Sequence, residues 1–254
     1  MGTSLEGVKP AENMAPALYL QSPARVKPLP IRAVLFDFDF TLGDSADAIV
    51  HCSRAAFTDM GLTPAEPVAI RRTIGLTLQD SFRVLTNEQA AAPAEEYTRR
   101  YVAHADRVMT GMTTVYEPAP AVLATLRSRG VSTAIVSTKY RYRIESILAD
   151  CGLAGAVDFI VGGEDVTRHK PDPEGLERAL AGLGIDGADA LYVGDHPVDG
   201  HAAARAGVRF VRVLTGEDFG DEPWAGIRPL VTVADVGALP AVVDSLASEI
   251  ANRR

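Results

Sequence analysis

Ile31-Arg32-Ala33-Val34-Leu35-Phe36-Asp37-Phe38-Asp39-Phe40-Thr41-Leu42 is the stretch on which the fold turns. Ala33 to Phe36 is an unbroken apolar run of the kind found in strands buried on both faces. Two acids follow where that strand runs out. In extended backbone, residues two apart point the same way. Asp37 and Asp39 would then face each other at about 5 Å, where two bare carboxylates repel by roughly 3 kcal/mol at an effective dielectric near 20. A cation between them relieves that repulsion, and an oxygen-only ligand set selects a hard ion, Mg²⁺ first. The plainer alternative is an Asp-x-Asp turn with Asx hydrogen bonds. The position favours a ligand, because open α/β sheets bind at the carboxyl ends of their strands.

Outward from this stretch the pattern changes twice. From Ser45 to Gly61 apolar residues recur at helical spacing, and three further helical patterns follow, the last opened by Pro93 and closing before Gly111. Residues 44–117 thus read as helical throughout. After Pro118, helices alternate with apolar runs at 131–137, 158–161, 189–194 and 208–213, with a weaker one at 230–233. Alternation of this kind means parallel strands joined by right-handed crossovers. One strand cannot make a sheet alone, so 31–43 must rejoin the chain beyond 118. The expected architecture is α/β: a Rossmann-like parallel sheet core (31–43 and 118–254) with helices on both faces, interrupted by an inserted all-helical cap (44–117). Residues 1–30 show no periodicity and read as a loosely ordered tail, with Met14 an alternative start.

The composition is that of an ordinary globular protein of 254 residues, 47% hydrophobic and 23% charged, with a net charge of −8. That balance disfavours nucleic acid and anionic membranes as partners, which need a surplus of Lys and Arg. It leaves room for a small anionic substrate held in one local positive pocket. Cys52 and Cys151 have no metal-ligand spacing and read as two buried free thiols in a reducing compartment. No basic region followed by an apolar run opens the chain, no apolar stretch approaches membrane-spanning length, and Glu6 stands where N-acylation wants Ser or Thr. The expected location is the cytoplasm; oligomeric state is not legible.

Three further polar clusters fall at predicted strand ends. Ser137-Thr138-Lys139 offers a hydroxyl and backbone N–H groups for phosphate oxygens, or alternatively a helix cap with a solvated lysine. Lys170-Pro171-Asp172-Pro173 places an ammonium between a strand and a helix, its backbone stiffened by the neighbouring prolines, and also suits a helix start with Pro173 in its first turn. Gly194-Asp195-His196-Pro197-Val198-Asp199-Gly200 offers Asp195 to a cation site and Asp199 as an indirect ligand or a partner for Lys170; alternatively Asp195 caps a helix. Taken together, four clusters of carboxylates, hydroxyl and ammonium after four parallel strands make a shared anion and cation site the economical reading.

Asp37-Phe38-Asp39-Phe40-Thr41-Leu42, Ser137-Thr138-Lys139, Lys170-Pro171-Asp172-Pro173 and Gly194-Asp195 with Asp199 together resemble the motif set of the haloacid dehalogenase-like hydrolases, in the subgroup with a helical cap after the first motif. The Ile74-Gly75-Leu76 segment is similar to phosphoglycolate phosphatases. The resemblance implies that Asp37 is a nucleophile forming an aspartyl-phosphate and that Asp39 protonates the leaving oxygen and then activates water. It implies Mg²⁺ on Asp37, the Asp39 main-chain carbonyl and Asp195, with Asp199 in support. Ser137, Thr138 and Lys170 would hold phosphate oxygens, and Thr41 would brace the loop of the two acids.

A carboxyl at Asp39 points to phosphate esters rather than carbon–halogen bonds. Phe40 departs from the family, where glycine is commonest, and Thr138 stands where Asn or Ser is usual. Arg71, Arg72 and Lys139 are candidates to meet an anionic substrate, while His196, though near the chemistry, is not expected to be catalytic. The expected activity is Mg²⁺-dependent hydrolysis of a small phosphorylated metabolite, phosphoglycolate-like or a sugar phosphate. A phosphomutase of the β-phosphoglucomutase type and a non-catalytic phospho-metabolite binding protein are the alternatives. The cap is expected to close over Asp37, with hinges at Gly43 and near Pro118.

Overall fold

The computed structural model describes Met1 and residues 31–251; the predicted tail at 1–30 otherwise lies outside the described residues, as do the last three. The α/β reading is borne out. Six parallel strands form one sheet: β1 (Ala33–Phe36), β4 (Ser132–Val136), β5 (Phe159–Val161), β6 (Ala190–Gly194), β7 (Arg209–Val213) and β8 (Val231–Val233). Their spatial order is β5-β4-β1-β6-β7-β8. The chain therefore builds outward from β1 to one side through β4 and β5, and then to the other through β6, β7 and β8. The reversal falls beside β1, and it is at such a switch point that the crevice above an open sheet forms.

Alternation along β1 explains its wholly apolar sequence. Val34 and Phe36 join one buried cluster with Ile135, Leu191 and Val193, while Ala33 and Leu35 join the other with Ala134, Val136 and Tyr192. The first face is covered by α5 (Ala119–Ser128), α6 (Arg141–Asp150) and α9 (Leu239–Ala251), the second by α7 (Glu174–Leu183) and α8 (Pro197–Ala206). Among the described residues no helix is long and apolar enough to cross a membrane.

Between β1 and α5 run α1 (Ala46–Asp59), α2 (Pro67–Arg71), α3 (Leu78–Thr86) and α4 (Ala91–Val108). Thr77 caps α3, its hydroxyl accepting from the Asp80 N–H at 3.1 Å. Phe57, Phe82 and Tyr97 form the aromatic centre of this layer. The segment is not helical throughout, which corrects the sequence reading. β2 (Gly43–Asp44) pairs antiparallel with β3 (Thr114–Val115), so the outgoing and returning chains are zipped into a ribbon. Two-residue strands carry no periodicity and cannot be read from sequence.

Two local expectations also need correction. Cys52 is buried, but Cys151 is exposed, because it follows the last turn of α6 where the chain swings out at Gly152. Pro173 is the N-cap of α7 and not a first-turn residue. The Asp172 carboxylate accepts from the Glu174 N–H at 3.0 Å and delays the helix start.

Candidate active site

Asp37 follows β1 directly, and its backbone still belongs to the sheet: its N–H donates to the Val193 carbonyl at 2.9 Å. The side chain is therefore aimed by the strand pairing of β1 with β6. Asp195 follows β6 in the same way. Lys170 comes from the loop before α7, and Asp199 from the first turn of α8. All four are buried. The Lys170 ammonium lies 3.0 Å from Asp37 Oδ1 and 2.6 Å from Asp199 Oδ1. Asp37, Asp195 and Asp199 each present an oxygen within 4.8 Å of the others.

Asp199 has both oxygens engaged. Oδ1 receives Lys170 and lies 3.1 Å from the Tyr192 hydroxyl, and Oδ2 accepts from the His196 N–H at 3.0 Å. That suits a group that orients Lys170 better than one that binds a metal directly. Tyr192 completes the bracket: its hydroxyl accepts from Lys170 at 3.2 Å and shares its one proton between Asp199 and the Val136 carbonyl at 2.9 Å. Burial alone would lower the Lys170 pKa, but the Asp199 and Asp37 carboxylates outweigh it and hold it above the usual ammonium value.

Burial raises the Asp37 carboxyl, with Lys170 opposing and Asp199 reinforcing; it raises Asp195 further, with the charges of Asp199 and Asp37 adding to the effect. The same buried region holds Asp39 and Lys139, 3.2 Å apart. In the cluster itself three acids, Asp37, Asp195 and Asp199, face the single ammonium of Lys170, a crowding of negative charge that a hard dication would relieve. Asp37 Oδ1, although close to Lys170, makes no aligned hydrogen bond. The oxygen-only donor set and the charge surplus fit Mg²⁺.

The loop between the two acids has its own logic. Phe40 adopts φ 56°, the left-handed conformation that glycine takes without strain. The strain of about 1–2 kcal/mol is of the same order as the gain from burying a phenylalanine ring, about 1.5–3 kcal/mol. The Phe40 ring packs with Ala46 and Ile74 beneath the Arg71 guanidinium. Thr41 Oγ1 lies 3.4 Å from Asp195 Oδ1, tying this loop to the end of β6. Thr215 donates to the Phe40 carbonyl and closes the loop from the other side. Two glycines make space for the acids: a Cβ on Gly194 would stand 2.4 Å from Asp199 Oδ2, and one on Gly216 1.9 Å from Asp195 Oδ2.

The remaining sequence candidates divide. Ser137 is buried at the end of β4, its hydroxyl stabilising the Asp37 carboxylate. The Thr138 hydroxyl donates to the Gly75 carbonyl at 3.3 Å. Lys139 is buried and lines a chamber of ≈ 60 Å³ beside Asp39. Arg71 does not line it; its guanidinium pairs with Glu217 at 2.7 Å. Arg72 is exposed and does not line it either. His196 caps α8 through Nδ1, which accepts from the Val198 N–H at 3.1 Å; burial and Lys170 push its pKa down to about 4.

Sequence reading missed Tyr192, Gly216 and Arg143. Tyr192 lies inside an apolar strand and looks like core. Arg143 carried a usable signal, since it precedes Ile147 by four residues and so lies on the buried face of α6.

A crevice at the switch point of a parallel sheet, holding an acid cluster and a fixed ammonium, defines an α/β protein with a site suited to phosphoryl groups and a divalent cation. The family profile described as haloacid dehalogenase-like hydrolase matches residues 34–213. A phosphoglycolate phosphatase of Rhodospirillum rubrum is 31% identical over 216 residues, covering 82% of this chain and 89% of its own length. The pyrophosphatase PpaX of Halalkalibacterium halodurans is 32% identical over 192 residues, covering 74% of this chain and 87% of its own. A solved structure described as a haloacid dehalogenase-like hydrolase from Bacteroides fragilis superposes with a TM-score of 0.78 at 38% identity, covering 82% of this chain and 99% of that one. The chain belongs to the haloacid dehalogenase-like hydrolase family, and it is an enzyme of the phosphatase type.

Proposed function

We propose that this chain is a Mg²⁺-dependent phosphatase that hydrolyses a small phosphorylated metabolite, phosphoglycolate-like, through an aspartyl-phosphate on Asp37. The observation that carries the reading is the buried convergence of Asp37, Asp195 and the Lys170 ammonium at the switch point. Asp37 attacks phosphorus in line, and the bond to the leaving oxygen breaks as Asp39 gives up its proton to it. Water then attacks the aspartyl-phosphate, returns a proton to Asp39, and frees phosphate and Asp37. Burial raises the Asp39 carboxyl against the pull of Lys139, which suits a group that must carry a proton.

Lys170, Ser137 and Thr138 would hold the phosphoryl oxygens, with Asp199 and Tyr192 keeping Lys170 aimed. Asp37, Asp195 and the Asp39 main-chain carbonyl would hold Mg²⁺, which when bound supplies charge neutralisation for phosphoryl transfer. In this reading 31–43 and 118–254 form the hydrolase core and 44–117 the cap that keeps water out during transfer. Phosphoglycolate leads because relatives matching most of this chain carry that name and because the chamber beside Asp39 is small.

The test is phosphate release from phosphoglycolate, sugar phosphates, nucleotides and pyrophosphate, with and without Mg²⁺. Release should require the metal, and Asp37→Asn should lower it by about 10⁴-fold or more. Isomerisation of a sugar phosphate without phosphate release, or binding without turnover, would overturn the reading.

A further inference from the structure

The chamber beside Asp39 holds more positive charge than the phosphoryl site uses. It lies between the helical layer and the start of α6, and its walls include Ile49, Ile70, Ile74, Tyr101 and Met109. Lys139 and Arg143 both line it. Lys139 Nζ sits between Asp39 Oδ1 at 3.2 Å and Met109 Sδ at 3.6 Å. Arg143 is only 5% exposed. One end of its guanidinium is pinned by the helical layer: Nη2 is 2.6 Å from Asp106 Oδ1 and 3.2 Å from the Val102 carbonyl, both on α4. The Tyr142 hydroxyl holds the same Asp106 oxygen at 2.7 Å. The Arg143 Nε–H is buried with no hydrogen-bond partner. A charged donor kept out of water without an acceptor is costly, and a fixed one in a chamber wall is a recognition device.

We propose that Arg143, through its open Nε–H and together with Lys139, receives a carboxylate borne by the leaving group, making the enzyme selective for phosphate monoesters of short hydroxy acids. The inference rests on the phosphatase reading and adds the residue that decides selectivity. The apolar walls accept the short carbon body, and the volume, room for about four to six waters, limits its length. Because Asp106 comes from α4, the receptor is complete only while α4 is packed on α6. The ester oxygen, at the other end of the leaving group, then falls on the Asp39 side, where its proton is needed.

The experiment compares the full-length Mg²⁺-loaded enzyme on phosphoglycolate and on isobutyl phosphate, whose leaving group has similar bulk and no charge. Wild type should favour phosphoglycolate in kcat/KM by about 100-fold or more. Arg143→Met should shrink that ratio by at least about tenfold, mainly through KM, and Arg143→Lys should recover part of it. Should Arg143→Met fail to fold, the Asp37→Asn protein titrated calorimetrically with both esters gives the same comparison without turnover. Equal use, or equal binding, of the two esters by protein with native Arg143 would overturn the inference while leaving the phosphatase reading intact. A ratio unchanged in Arg143→Met, or pyrophosphate preferred to both esters, would overturn it as well. Turnover of no ester at all would instead sink the phosphatase reading.

Discussion

Gly216 carries no side chain, and the Asp195 carboxylate occupies the space one would take. Gly216→Ala is therefore expected to push Asp195 aside without disturbing the sheet beneath it. Misplacement of a site group by an ångström costs about 100-fold in rate, so kcat should fall by that order while the unfolding midpoint moves little. Phosphate release and thermal melts on the same sample check this. Nothing in the sequence marks Gly216, which sits in a loop 21 residues beyond Asp195 in the numbering. Its role exists only because that loop folds back over the end of β6. Asp37, Lys170 and Asp195 were legible for the opposite reason. Each stands at the end of an apolar run or just before a pair of prolines, and strand ends are where a parallel sheet gathers its chemistry. Lys139 was legible only as a charge: its position beside Asp39 depends on Met109 and Phe38 closing around its stem.

At the scale of elements, the helical layer is tied to the sheet domain by specific contacts. Asp106 of α4 holds Arg143 and Tyr142 of α6, Thr110 meets Ser146 at 3.1 Å, and Arg71 reaches Glu217. Gly75 packs against His196, where a Cβ would stand 3.1 Å from the ring. These contacts describe a closed arrangement over Asp39. Backbone pairing between the outgoing and returning chains runs through the β2–β3 ribbon and the adjoining bond from the Tyr116 N–H to the Leu42 carbonyl at 2.9 Å. There a Cβ on Gly43 would stand 2.9 Å from the Thr114 carbonyl. Gly43→Ala should therefore pry the ribbon apart and shift both kcat and KM, by about threefold to tenfold each, with metal affinity unchanged. Steady-state kinetics together with Mg²⁺ titration separate this from damage to the acid cluster. The helices themselves were legible because their apolar spacing and caps are local; the ribbon was not, because its pairing joins residues about 70 positions apart with no pattern of their own.

For the whole molecule, the buried acids make thermal stability a test of the proposed metal. The native state carries a charge surplus that the unfolded chain, open to water, does not feel. Saturating Mg²⁺ at about 100 times its dissociation constant should then stabilise the protein by about 2.7 kcal/mol. For a domain of this size that amounts to a rise in Tm of about 5–11 °C. Asp195→Asn should abolish most of the rise while raising the metal-free Tm, since it removes one of the crowded charges. Differential scanning with and without a chelator measures both. The sheet order could be argued from sequence only as far as parallel alternation; the reversal beside β1, which sets Asp37 next to Asp195, is a property of packing among strands distant along the chain.

The pairing of Gly43–Asp44 with Thr114–Val115 has a consequence for how such a protein can diversify. The chain departs from the sheet and comes back to it at a single point, so everything between could be exchanged as a cassette without re-threading a strand. Lys139 and Arg143 would stay behind on the sheet side in any such graft. A transplanted cassette would then change which carbon skeletons are admitted, and would keep the preference for an acid only if it brought an acceptor to the place of Asp106.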